Sequence, residues 1–175
     1  MTIEELSKKD SSFSSSIFIS RANNMIKKLY NAVTLDELDT VDHFASDKVF
    51  NSFKEELEEA KAKNEILIYD QVNVQTEIEN IEEENDLYKV FCLVRCRFCK
   101  YYLSSDGDLL RGNQDTRTGV IKKAVFCKKI GATREIVSRC LGCGMPLNIN
   151  DNGKCQNCGR IYDLEEFDYY LDTYE

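Results

Sequence analysis

Apolar residues in the first third of the chain recur with the period of a helix. Ile17, Phe18, Ala22, Met25, Ile26, Leu29, Tyr30 and Val33 fall at three- and four-residue steps, which predicts an amphipathic helix burying one stripe. Thr34-Leu35-Asp36-Glu37 has the form of a capping box and predicts a short helix presenting Leu35, Leu38 and Val41. Ser46 is placed to cap a third helix, with Val49, Phe50, Phe53, Leu57 and Ala60 on one face and Glu and Lys on the other. At Ile66 the period changes to two. Ile66, Ile68, Val72, Val74, Thr76 and Ile78 alternate with Leu67, Tyr69, Gln71, Asn73, Gln75 and Glu77, as in one long strand bent or bulged near Asp70.

A second strand, from about Leu87 to Leu103, sets Tyr88, Val90, Cys92, Val94, Cys96, Phe98 and Tyr102 on one face. Phe91, Leu93, Arg95, Arg97, Cys99 and Tyr101 take the other. Residues 104–108 read as a turn and 109–115 as a loop. A third strand runs through Val120 to Cys127 and is broken by Gly131. The apolar piece Phe167 to Leu171 predicts a last strand that rejoins the sheet. Helices followed by long antiparallel strands give an α+β fold, with a curved sheet wrapped on N-terminal helices and a cavity between them. The expected division is a disordered, Ser-rich arm over 1–16, a helix-plus-sheet domain over 17–139, an insertion over 140–160 and the returning strand over 161–175.

The insertion carries the clearest chemistry. Cys140-Leu141-Gly142-Cys143 and Cys155-Gln156-Asn157-Cys158 form two Cys-x-x-Cys pairs, the spacing of a tetrahedral Zn²⁺ site with four thiolate ligands. Gly144 and Gly159 follow the pairs and permit the left-handed turn that a metal-binding knuckle needs. Asn152-Gly153 between them is a hairpin-turn signal. Four thiolates close the coordination shell, so the expected zinc is structural and has no open position for catalysis. Two disulfides are the competing reading. Cys96-Arg97-Phe98-Cys99 repeats the motif within a strand, where positions three apart point to opposite faces, so no second metal site is expected there. Cys92, Cys96 and Cys127 read as buried thiols.

Composition narrows the class. The chain has 175 residues, 42% of them hydrophobic, and no apolar run long enough to span a bilayer. Eight cysteines without an apolar leader point to a reducing cytoplasm. The net charge of −8 divides unevenly: −11 over 1–86, +8 over 87–139 and −5 over 140–175. The basic block is either a surface for an anionic partner or internal complementarity between packed elements. His43, the single histidine, lies beside Asp42, yet no nucleophile is placed with it.

The segment from Phe18 to Leu57 resembles the start of the C-terminal domain of the mitochondrial inner-membrane translocase subunit forty-four. The ribbon, Cys140-Leu141-Gly142-Cys143-Gly144-Met145-Pro146-Leu147 and then Gly153-Lys154-Cys155-Gln156-Asn157-Cys158-Gly159, is similar to one carried by bacterial relatives of that domain. Those relatives end on an Asp-Trp-Val-Leu-like strand, which Asp168-Tyr169-Tyr170-Leu171 resembles without the Trp. The resemblance implies a nuclear-transport-factor-2-like fold with a hydrophobic pocket, and a membrane- or transport-associated role. The expected function is a non-enzymatic binding or scaffold protein that holds an apolar ligand, lipid or protein partner in its pocket or on its sheet. Peripheral membrane contact and oligomeric state are left open. The alternatives are a small pocket enzyme of isomerase or dehydratase type, with Asp70 the best-placed carboxylate, or a nucleic-acid-binding zinc-ribbon protein. The acidic balance disfavours the last of these.

Overall fold

The computed structural model describes residues 1–41, 44–131, 143–145, 155–159 and 169–175. Its elements are helices α1 (Ile3–Lys9), α2 (Ser15–Leu35) and α3 (Asp47–Ala62), a 3₁₀ turn at Leu38–Thr40, and strands β1 (Ile66–Glu84), β2 (Leu87–Leu103), β3 (Leu109–Gly112), β4 (Thr118–Lys129) and β5 (Tyr170–Tyr174). The five strands form one antiparallel sheet in the order β1-β2-β4-β5, with β3 paired to β2. The helices bury their apolar stripes against one face of it, which makes the fold α+β.

The α2 stripe is the one the periodicity predicts, with Phe18, Ala22, Ile26, Leu29, Tyr30 and Val33 buried, except that Ile17 is exposed. Ser46 caps α3 by accepting from Val49 N at 3.3 Å, and Val49, Phe53, Leu57 and Ala60 face the core. Thr34 is not a cap. It lies inside α2, accepts from Tyr69 N at 2.8 Å and so fastens the helix to β1. Asp36, at φ 55°, ends α2 in the left-handed conformation instead, and the expected short helix shrinks to the 3₁₀ turn.

The arm also differs from expectation. Residues 3–9 form a helix rather than a disordered segment. Thr2 and Glu5 close a reciprocal capping box (Glu5 N to Thr2 Oγ1 3.1 Å, Thr2 N to Glu5 Oε2 2.7 Å), and Leu6 is fully buried. The Ser-rich stretch 11–16 drew attention away from the Thr2/Glu5 capping pair at the start of α1. Residues 109–112, expected as loop, form the short β3. There Gly112, at φ 91°, lies so close to Lys100 O and Tyr101 Cα that no Cβ fits.

Strand parity is set by bulges. Leu67 and Tyr69 face the core, and so do Val72, Val74 and Thr76; the switch between odd and even falls at the register shift between Asp70 and Asn73, where Gln71 has φ 53°. A second shift between Ile78 and Asn80 returns Ile81 to the core. The bulge turns Asp70 out to solvent, where its carboxylate accepts from Gln71 N at 2.8 Å. The carboxylate favoured for a pocket enzyme is therefore not in the pocket. β5 closes the sheet along β4 with a further shift that points both Leu171 and Tyr174 inward.

Candidate functional site

Two places in the structure collect chemically distinctive side chains. The first is the cysteine cluster. The sulfurs of Cys143, Cys155 and Cys158 all lie within 4.8 Å of one another, and Cys143 Sγ is 3.9 Å from Cys155 Sγ. That separation is about twice a disulfide bond. It is close to the ~3.8 Å edge of a tetrahedron with metal–sulfur bonds of about 2.3 Å. Gly144 and Gly159 have φ 73° and 77°, the left-handed turn a knuckle requires, and Gly159 N closes the second knuckle on Cys155 O at 2.9 Å. Three thiols gathered this closely suit a borderline-soft cation such as a transition metal. Cys140, the fourth expected ligand, and Asp42-His43 lie outside the described residues.

The strand motif Cys96/Cys99 makes no such cluster. Both thiols are buried, but Cys96 joins the core beneath the helices while Cys99 does not, as opposite faces require. Burial pushes the Cys92 thiol up to about 12, as suits an inert core residue.

The second place is a pocket of about 370 Å³ between α2, α3 and one end of the sheet. Its floor is a cluster of rings. Tyr30 packs on Phe53, Tyr69 and Phe98 with centroids 4.9–5.3 Å apart, and Phe53 stacks on Tyr174 at 5.9 Å. The Tyr30 and Tyr174 hydroxyls are 2.7 Å apart, and Tyr174 Oη lies 3.2 Å from Cys96 Sγ. Burial raises all three groups above their ordinary pKa values, so they are neutral donors at pH 7. At the rim, Glu56 accepts from the Tyr69 hydroxyl and pairs with Lys100 at 2.5 Å. Burial and the adjacent Glu56 carboxylate both hold the Tyr69 phenol well above its usual range. Lys122 completes the rim, its ammonium 6.0 Å from the Tyr174 ring.

The sequence predicts the cavity but places Tyr30, Phe53, Tyr69 and Phe98 only on helix and strand faces and not in its lining. The signal was parity. Lys100 and Lys122 share strand faces with Phe98, Val120 and Ala124, and an inward lysine on a core-facing register is unusual. Part of the basic block is paired within the fold. Lys89, Arg95, Lys100, Arg111 and Lys128 each pair with a carboxylate of another segment, so internal complementarity accounts for these five of its twelve bases.

Residues 1–136 match the family model of the Tim44-like domain. No curated protein matches the chain. The family match covers well over half of the 175 residues, and the chain belongs to the Tim44-like domain family. Membership suggests a membrane-associated binding or scaffold role. Among the described residues, no helix is long and apolar enough to cross a membrane.

Proposed function

We propose that this member of the Tim44-like domain family is a non-enzymatic binding module: the aromatic pocket takes a ligand, and a structural Zn²⁺ on Cys140, Cys143, Cys155 and Cys158 holds the ribbon. The observation that carries the first half is a ring-lined pocket in which, among the described residues, Glu56 is the one lining carboxylate and is held by Lys100 and the Tyr69 hydroxyl. Both contacts fall on Glu56 Oε1 and fix the carboxylate as the rim partner of a cation and a phenol, and no second carboxylate and no histidine lines the pocket among the described residues. Rings with a few convergent polar groups are what small-molecule sites are made of, and this volume suits a drug-sized compound. The sheet's outer face and a protein partner remain the other route for a scaffold.

For the metal, the support is the 3.9 Å sulfur separation and the two left-handed glycines. Two Cys-x-x-Cys knuckles carrying four thiolates favour Zn²⁺ and leave it no open coordination position. A reducing cytoplasm suits the described cysteines, which are free thiols.

Native mass spectrometry of the protein purified without detergent, together with a turnover screen for isomerase and dehydratase activity, tests the reading. A small-molecule adduct without turnover is expected. Catalysis abolished by Glu56→Gln would overturn it.

A further inference from the structure

The pocket's charge and shape carry the reading one step further. Facing the helices, β2 and β4 present Val94, Cys96, Phe98, Val120 and Ala124, and this apolar register is interrupted by Lys100 and Lys122. Lys100 is matched, because its ammonium pairs with Glu56 at 2.5 Å. Lys122 has no carboxylate within ion-pair distance among the described residues; its neighbour is the face of Tyr174. The pocket therefore holds one unmatched positive charge in a chain of net charge −8.

A cationic ligand is disfavoured despite the rings. An aromatic cage attracts an ammonium through its π faces, but here Lys100 already sits 5.4 Å from the Tyr69 centroid and neutralises the cage's carboxylate. A second cation would meet two ammoniums against one carboxylate, a net positive lining. An anion meets Lys122, with the neutral Tyr174 hydroxyl on the same wall. The ring walls favour a flat partner that can lie against faces and edges. A volume of about 370 Å³ is at the small end for ligand sites and does not hold a two-chain lipid.

The geometry points to a compact planar anion, an aromatic carboxylate or a compound of that shape and charge, as the ligand of this pocket. This rests on the pocket being a binding site at all, and the test separates the two claims. Naphthalene-2-carboxylate, its neutral carboxamide and dodecanoate are titrated by calorimetry into the zinc-loaded full chain and into Lys122→Met. A hydrogen-bonded charge pair is worth roughly tenfold or more in affinity. The acid is expected to bind at least that much more tightly than the amide, and Lys122→Met should remove the difference between them. Equal affinity of acid and amide, or an acid indifferent to Lys122→Met, overturns the anion assignment and leaves the pocket reading intact. Dodecanoate binding ahead of the planar acid overturns the shape assignment. Failure of all three to bind overturns both claims.

Discussion

Lys128 and Asp10 form a buried ion pair that joins the segment after α1 to the inner face of β4. Their side chains are 1% and 3% exposed, with Nζ to Oδ2 2.9 Å. Each charge is well supplied. Asp10 also accepts from Ser12 N, Ser12 Oγ and the Tyr169 hydroxyl, and Lys128 donates to Ser12 Oγ at 2.7 Å. Lys128→Met keeps the stem's packing and strands the carboxylate. Removing one partner of a buried pair costs about 3–5 kcal/mol, because the remaining charge stays desolvated. That corresponds to a loss of roughly 10 °C in Tm for a domain of this size. Asp10→Asn in the same chain should restore much of the loss, since no net charge is then buried.

The pH dependence has a definite sign. Burial alone would raise the Asp10 carboxyl, but hydrogen bonds from Ser12, Lys128 and Tyr169 and the Lys128 charge outweigh it and hold the group below its usual range. In the native chain this stability is present above the unfolded carboxyl pKa of about 3.9 and is lost as pH falls through the lower folded value. Without Lys128 the buried carboxyl shifts the other way and gains stability on protonation. The gap between native and Lys128→Met should therefore be widest near neutrality and shrink toward pH 4. Urea titrations followed by circular dichroism at both pH values measure this. A loss under about 1 kcal/mol for Lys128→Met, or a double variant whose losses simply add, would refute the reasoning.

Three further perturbations test other parts of the account. Gly112→Ala should destabilise by more than about 1 kcal/mol in thermal melts, because φ is 91° and the new Cβ would lie 2.3 Å from Lys100 O. Ser46→Ala should cost about 1 kcal/mol through loss of the α3 cap, with a little more from its 2.6 Å bond to Asp172 O; a neutral result would remove that role. Chelation, or Cys155→Ser, should release one Zn²⁺ per chain to a colorimetric indicator and open the ribbon to protease while the helix-and-sheet signal persists. Loss of that signal at the same chelator concentration would mean that the ribbon is not a separate unit.

Period and spacing made the long elements legible. α2, α3, β1, β2 and β4 stand where repeated apolar positions put them, because helix and strand periodicities are visible in any stretch that buries one face. The gathering of Cys143, Cys155 and Cys158 was legible because spacing and the following glycines agree. What the sequence hid depends on contacts between distant segments. Thr34 looks like a cap, but its partner Tyr69 lies across the fold on β1. Asp70 looks inward by parity until the bulge at Gln71 turns it out. Lys100, Lys122, Glu56 and Tyr174 come from four different elements, and nothing local announces that they share a pocket.

The claim everything else leans on is that ligand enters between α2, α3 and the sheet, and chemical-shift mapping tests it most directly. On addition of naphthalene-2-carboxylate to isotope-labelled protein, the account predicts saturable shifts confined to residues such as Tyr30, Phe98, Lys122 and Tyr174. Shifts confined to the outer-face residues Arg95, Ile121 and Lys123, or none at concentrations well above those used in calorimetry, would contradict it.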